Sequence, residues 1–394
     1  MRDVAIIGGG PGGLYAAHRL ARSGCDVAVL EEHSVAGAPV HCTGVLAADA
    51  FDEFDIPRGA ILNALTTARF FGPSGASIAY SPQKLEAVVV DRCEFDRMLC
   101  ERAASAGATV HAGAKVTELD VSKDHVFVRS TGHAPIKARA CILACGANYT
   151  FQRRLGLGVP SMHLQSAQIE VPATRPGDVE LHFGDVAPKG FAWVVPVVRA
   201  GGMFARVGLM CERRVREHFA RFLASVGPRW QTGDASGFSG GLSARIKILP
   251  LAPITKTFAN RLLAVGDAAG LVKATTGGGI YYSLMSGSLA ADVLTDALRA
   301  GDLGHRALSV YEQRWRSLLG EELAAQQRLR SVANDLSNDQ IEELFELART
   351  DGIMPIVRRT ASFNRHRQLI VSLLNHPPAR RVLMRRLLGQ SPSA

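Results

Sequence analysis

Two groups of glycines in this 394-residue chain stand where backbone amides could hold an anion. The first is Gly8-Gly9-Gly10-Pro11-Gly12-Gly13, with the spacing GxGxxG at 8, 10 and 13. It follows the short apolar run Asp3–Ile7 and opens a stretch of helical composition at 12–23. In that context Gly8 permits a tight turn out of a strand. Gly10 lets the backbone come against a pyrophosphate, and Gly13 lets the helix pack on the strand. Pro11 suits the first helical turn, and free N–H groups at a helix N-terminus favour the anion. Glu31 closes a second apolar run, VAVL, and its carboxylate is placed to accept hydrogen bonds from an adenosine ribose. Glu32 is a rival for that role, but Glu31 follows the run directly.

The second group decides which dinucleotide. Leu263-Ala264-Val265-Gly266-Asp267-Ala268-Ala269-Gly270 reads as a strand running into GDAAG. In flavoproteins an Asp at this position hydrogen-bonds the ribityl chain. Thr275-Thr276-Gly277-Gly278-Gly279-Ile280 then opens a long helix over 280–299. Its N-terminal amides suit negative charge developing at the N1–C2=O edge of a flavin. The cofactor expected from the pair is therefore FAD. A second GxGxxG for a nicotinamide cofactor is not seen, so electrons are expected from transiently docked NAD(P)H or from a ferredoxin-like protein.

These segments, with Val90-Asp91-Arg92, Phe95-Asp96 and Ala144-Cys145-Gly146-Ala147, resemble the para-hydroxybenzoate-hydroxylase-type FAD superfamily. Within it, three runs are similar to the geranylgeranyl reductase branch: Pro39-Val40-His41-Cys42-Thr43-Gly44, Lys189-Gly190-Phe191-Ala192-Trp193-Val194-Val195-Pro196, and Lys273 through Ile280. The resemblance covers roughly residues 1–300. It implies one FAD, an α/β fold with a Rossmann-type FAD-binding domain (GR2 type), and reduction of isolated C=C bonds in prenyl chains. It also implies that Arg92 lies near the flavin and ribityl region. Cys42 matches a loop cysteine close to the isoalloxazine and is the catalytic candidate. The loop reads HCTG here, where other members carry CGEG or CAEG. A flavin-dependent monooxygenase or halogenase on the same scaffold is the alternative. Halogenases usually carry two Trp residues in the comparable run, and only Trp193 is present here.

Reducing an unactivated alkene needs a hydride, a proton and a dry place for an apolar chain. Phe191, Trp193, Val195 and Phe204 are candidates to line that place, with Phe191 and Trp193 assigned to substrate. Cys42, His41, Tyr281 and Tyr282 are the candidate proton donors.

The elements that must hold these residues can be read in outline. Apolar residues at 95, 98, 99 and 103 form a helical stripe with Asp91 in cap position. Residues 114–129 read as a hairpin and 139–145 as a buried strand. The stretch 160–257 has short strand-like runs between Pro and Gly, which predicts a mostly antiparallel sheet. From about 307 the chain reads as helix, and Ser337 with Gln340 makes a capping box. The expected division is an FAD-binding domain over 1–65, 90–160 and 258–302. A substrate domain is interleaved at 66–89 and 161–257, and 303–394 form a C-terminal helical region.

Bulk features narrow the rest. Lys and Arg number 45 against 36 Asp and Glu, a net charge of +9. That surplus suits an anionic cofactor, an acidic donor protein or an anionic membrane face, and no nucleic-acid-binding module accompanies it. None of the seven cysteines forms a CxxC pair, so no metal is expected. No signal peptide and no spanning apolar run is read, which points to a cytoplasmic protein, free or on a membrane. Pro377–Leu388 has the pattern of a cationic amphipathic helix suited to peripheral membrane contact.

Overall fold

The computed structural model describes residues 1–174, 177–230, 244–350 and 352–384. The run Val4–Ile7 is buried on both faces, as in a parallel sheet covered on both sides, and parallel strands flank it within the sheet. Strand Arg2–Ile7 pairs in parallel with Ile136–Leu143 and with Val27–Glu31. Thr109–Ala112 continues the sheet on one side and Leu262–Ala264 on the other, both parallel. The predicted hairpin forms from Val116–Val121 and Val126–Ser130 and joins this sheet antiparallel through Ile136–Leu143. Helix Pro11–Arg22 follows the first strand directly.

The helical stripe expected over 94–106 forms as helix Arg92–Ser105, capped as the sequence indicates. The Asp91 carboxylate accepts from the amides of Cys93 and Glu94, a cap of the kind that contributes about 1 kcal/mol. The Ser337–Gln340 capping box also closes, each side chain accepting from the other residue's amide.

A second sheet of seven strands holds the middle of the chain. It is antiparallel except where Val179–His182 runs parallel to Ala68–Phe71. Alternation divides its residues between two cores. Ala192 and Val194 face one way and pack with helix Val215–Trp230. Trp193, Val195 and Val197 face the other way. That helix is not among the elements expected for 160–257, a mostly antiparallel sheet. Its apolar residues Val215, Phe219, Phe222, Val226 and Trp230 recur at helical spacing and are buried.

Helices Ile280–Ala300 and His305–Ala333 follow the second glycine cluster. The first of them crosses Pro11–Arg22 at glycines. A Cβ on Gly287 would lie 2.4 Å from the Gly12 carbonyl oxygen. Gly287→Ala is therefore expected to cost about 1–3 kcal/mol by overpacking. A thermal melt that matches the wild type would show that the two helices do not hold this contact.

The C-terminal helix Pro377–Met384 buries Val382 and packs on the helices beside it. The apolar side of its described part is thus taken up by the protein. The residues of the amphipathic pattern beyond 384 lie outside the described part of the chain. No helix among the described residues is long and apolar enough to cross a membrane.

Candidate active site

The turn out of the first strand is the start of the site. Gly8 has φ +109°, and a Cβ there would lie 2.3 Å from the Ala144 carbonyl oxygen, so only glycine fits. Gly13 is equally closed, with the Gly8 carbonyl 2.2 Å from its would-be Cβ. Gly10 differs: nothing lies within 4 Å of the position of its Cβ. The crowded glycines set the bend, and the open one presents its backbone to empty space.

The carboxylate of Glu31 reaches across this turn. Its Oε2 accepts from the Gly9 amide at 2.6 Å, and its Oε1 accepts from the His33 amide. Glu32 instead pairs with Lys115 at 3.4 Å on the surface.

The second glycine cluster comes to the same place. Gly266 has φ +57° and begins a short 3-10 turn, Gly266–Ala269. The Asp267 carboxylate lies against Gly279: its Oδ1 would be 2.7 Å from a Cβ there. Its Oδ2 meets Lys247 Nζ at 3.2 Å. Gly279 is the N-cap of helix Ile280–Ala300, and Gly10 is the N-cap of Pro11–Arg22. Two helix N-termini thus border one cavity of about 670 Å³.

The candidate site residues from the sequence line that cavity, except Tyr282 and Phe204. Gly8, Gly10, Pro11, Gly12 and Gly13 line it together with Glu31. Gly266, Asp267, Gly277, Gly278, Gly279 and Ile280 line it too, and Gly12 and Gly266 both lie against Ser283, while Cys42, Arg92, Phe191 and Trp193 also face the cavity. The exception among the proposed apolar lining is Phe204. It packs in the same cluster as Trp193 and Val195 but is not part of the cavity wall.

Arg92 is anchored by Asp96 at 2.8 Å. Burial opposes its charge, but Asp96 and then Cys42 outweigh that and raise its pKa, so Arg92 is a fixed cation beside the cysteine. The Cys42 loop is held from the second sheet. Arg206, 2% exposed, donates to the carbonyls of Thr43 and Val90 and to Glu170.

The tyrosines named as proton-donor candidates are already engaged. Tyr281 donates its hydroxyl to the Glu53 carboxylate at 2.8 Å, and burial raises its pKa first, followed by Glu53. Tyr282 donates to the Asn364 carbonyl, and burial raises it as well. His41 sits toward the rim. Its pKa is lowered by burial and then by Lys247 and Arg245.

One wall comes from a part of the chain where the sequence offered no motif. Arg330, 7% exposed, donates to the carbonyls of Ala274, Thr275 and Lys189. It thereby ties the glycine loop to the strand that carries Phe191 and Trp193. Phe363, Asn364 and His366 complete that wall. No local pattern signals these residues, because most of their partners lie 44 to 315 positions away.

These features fit a flavin dinucleotide. Closed glycines shape the turn, an open Gly10 faces the cavity, two helix N-termini supply amides, and one apolar face adjoins them. Among the described residues no group of three or more His, Cys, Asp or Glu is placed to hold a metal ion.

Known proteins point the same way. Residues 2–171 match the pyridine nucleotide-disulphide oxidoreductase family. The digeranylgeranylglycerophospholipid reductase of Methanocaldococcus jannaschii is 30% identical over 362 residues, 87% of this chain and 90% of the relative. That of Methanoculleus marisnigri is 31% identical over 369 residues, 87% and 89%. A geranylgeranyl bacteriochlorophyll reductase-like structure from Thermoplasma acidophilum shares the fold, with TM-score 0.83 and 24% identity over 98% of each chain. The FAD complex of the halogenase PltM shares it less closely, with TM-score 0.69 and 16% identity over 99% of this chain and 93% of that one.

Proposed function

The chain belongs to the digeranylgeranylglycerophospholipid reductase family of FAD-dependent oxidoreductases, and on that premise we propose that it saturates isolated C=C bonds of prenyl chains. The observation that supports this most is the single cavity in which both glycine clusters meet an apolar sheet face. Reduced FAD supplies the hydride when bound there. Gly8, Gly10, Pro11, Gly12 and Gly13 cradle its pyrophosphate, and Glu31 takes the adenosine ribose. Asp267 takes the ribityl chain, Arg92 lies beside it, and the amides at Gly266 and Gly277 through Ile280 face the flavin edge.

Phe191 and Trp193 hold the prenyl chain and exclude water from the reacting carbons. Cys42 stands on the cavity wall beside the Arg92 cation and contacts the alkene. The electron donor in this reading is docked NAD(P)H or a ferredoxin-like acidic protein, drawn by the net charge of +9.

The test of the activity is mass spectrometry of prenyl lipids and quinones from cells with and without the gene. A gain of two hydrogens per double bond in a prenyl lipid, dependent on the gene, is expected. Unchanged masses in every prenyl lipid would overturn the reading. Within it, Cys42→Ala and Cys42→Ser are expected to keep their yellow FAD and to lower turnover by roughly 10-fold or more, a loss of about 1.4 kcal/mol in transition-state binding. Wild-type turnover in both variants would make Cys42 a bystander.

A further inference from the structure

Lys273 is a lysine folded into the wall of the cavity with 3% exposure. Its Nζ donates to the Phe363 carbonyl at 2.6 Å and to Asn364 Oδ1 at 2.9 Å. An ammonium has three N–H donors, and the third has no acceptor among the described residues. No ion pair joins Lys273 to a carboxylate among the described residues, although the Phe363 ring lies 4.3 Å from Nζ. Its backbone belongs to the glycine loop: its amide donates to the Gly278 carbonyl and its carbonyl accepts from the Gly277 amide.

We propose that Lys273 is a proton store coupled to the flavin, taking up a proton as electrons enter the bound FAD and giving it to the alkene carbon that receives no hydride. The balance is simple. One N–H bond breaks, one C–H bond forms, and Lys273 is left as a neutral amine that solvent reprotonates in the next reduction. The hydride and this proton together saturate one C=C bond. The proposal rests on the reading of the chain as an alkene reductase and on the flavin edge lying against Gly277 through Gly279.

The charges around the amine allow this behaviour. Burial holds its pKa down to about 7, while Glu322 on helix His305–Ala333 and Asp49 pull it back up. His366, the N-cap of helix Arg367–Asn375, is itself held down to about 4 by burial and by Lys273, so it is neutral near pH 7. Tyr282 on the neighbouring helix is kept protonated by burial. Arg330 caps carbonyls of the next two residues. The amine is therefore poised between its two forms near neutrality. Negative charge arriving at the adjacent loop raises its affinity for a proton, because the low-dielectric wall screens the interaction poorly.

The sign follows from linkage. Below about pH 7 Lys273 is already protonated, and reduction of FAD draws nothing extra through it. Above that pH it is neutral before reduction and gains a proton on reduction. The midpoint potential of the wild type should then fall more steeply with pH above neutrality than that of Lys273→Met. Single-turnover oxidation of the pre-reduced enzyme by digeranylgeranylglyceryl phosphate in detergent micelles should be about 100-fold slower in Lys273→Met. Lys273→Arg keeps a charge at every pH, so it should fold, retain FAD and show the shallow slope even if the Met variant does not fold.

Identical slopes in wild type and Lys273→Arg, or wild-type single-turnover rates in Lys273→Met, would overturn the proposal. A wild-type enzyme that the lipid fails to oxidise would count against the reductase reading instead. The potential measurement needs no substrate, so it still decides whether Lys273 titrates with the flavin.

Discussion

Gly10→Glu is expected to yield a folded protein that no longer retains FAD. The backbone at Gly10 has φ −82°, a conformation open to any L-residue, and no atom within 4 Å obstructs a side chain. The variant therefore carries a carboxylate into the space where the pyrophosphate is proposed to sit. Like charges brought together at a desolvated contact cost several kcal/mol. FAD affinity should fall by at least about 100-fold, or roughly 3 kcal/mol. Isothermal titration of the apo-protein with FAD, alongside its melting temperature, separates loss of binding from loss of fold. Retention of FAD at wild-type affinity would place the pyrophosphate elsewhere.

Arg206→Ala should produce the largest loss of stability. The guanidinium is 2% exposed and connects three segments: the Cys42 loop through the Thr43 carbonyl, the strand Ala87–Val90 through the Val90 carbonyl, and Glu170 on the second sheet. Truncation leaves two buried carbonyls without this donor, and it opens a hole the size of the side chain. The expected cost is about 3–5 kcal/mol. Glu170 keeps its contact with Arg199 at 2.8 Å, which is why the cost should stay within that range. Arg206→Lys should recover little, since an ammonium cannot reach three acceptors as a planar fork does. Denaturant unfolding of the FAD-loaded protein measures the change. A midpoint equal to that of the wild type would mean the Cys42 loop is held by other contacts.

The parts legible from the sequence were those whose signal is local. The run ending at Ile7 followed by Gly8 is a strand and a turn within ten residues. The Asp91 cap and the Ser337–Gln340 box each depend on amides two or three positions away. Convergence of the two glycine clusters was legible only because both carry a chemistry that a single cofactor needs. Helix Val215–Trp230 was missed although its apolar residues stand at helical spacing. The surrounding Pro- and Gly-bounded runs made strands the easier reading.

Gly287, Arg206, Arg330 and Lys273 gave no sign at all. Each acts on a residue dozens to hundreds of positions distant, and an arginine or lysine on its own reads as a solvated surface charge. Lys273 opens the segment that leads into Gly277, Gly278 and Gly279, yet its burial depends on Phe363 and Asn364. Phe204 illustrates the reverse error. It belongs to the right face of the right sheet, but that face extends beyond the cavity.

The wall over Lys273 also bears on how the protein is made. Phe363, whose carbonyl accepts a hydrogen bond from the lysine, is emitted from the ribosome 90 residues after it. Until Phe363 emerges the amine lacks this acceptor, and until Arg330 emerges the glycine loop also lacks its brace. A nascent chain can thus assemble its first parallel strands long before it can seal a cofactor inside. Products of premature termination upstream of Phe363 would carry an open, leaky pocket, and colour retained through dialysis would mark the chains that were translated to the end.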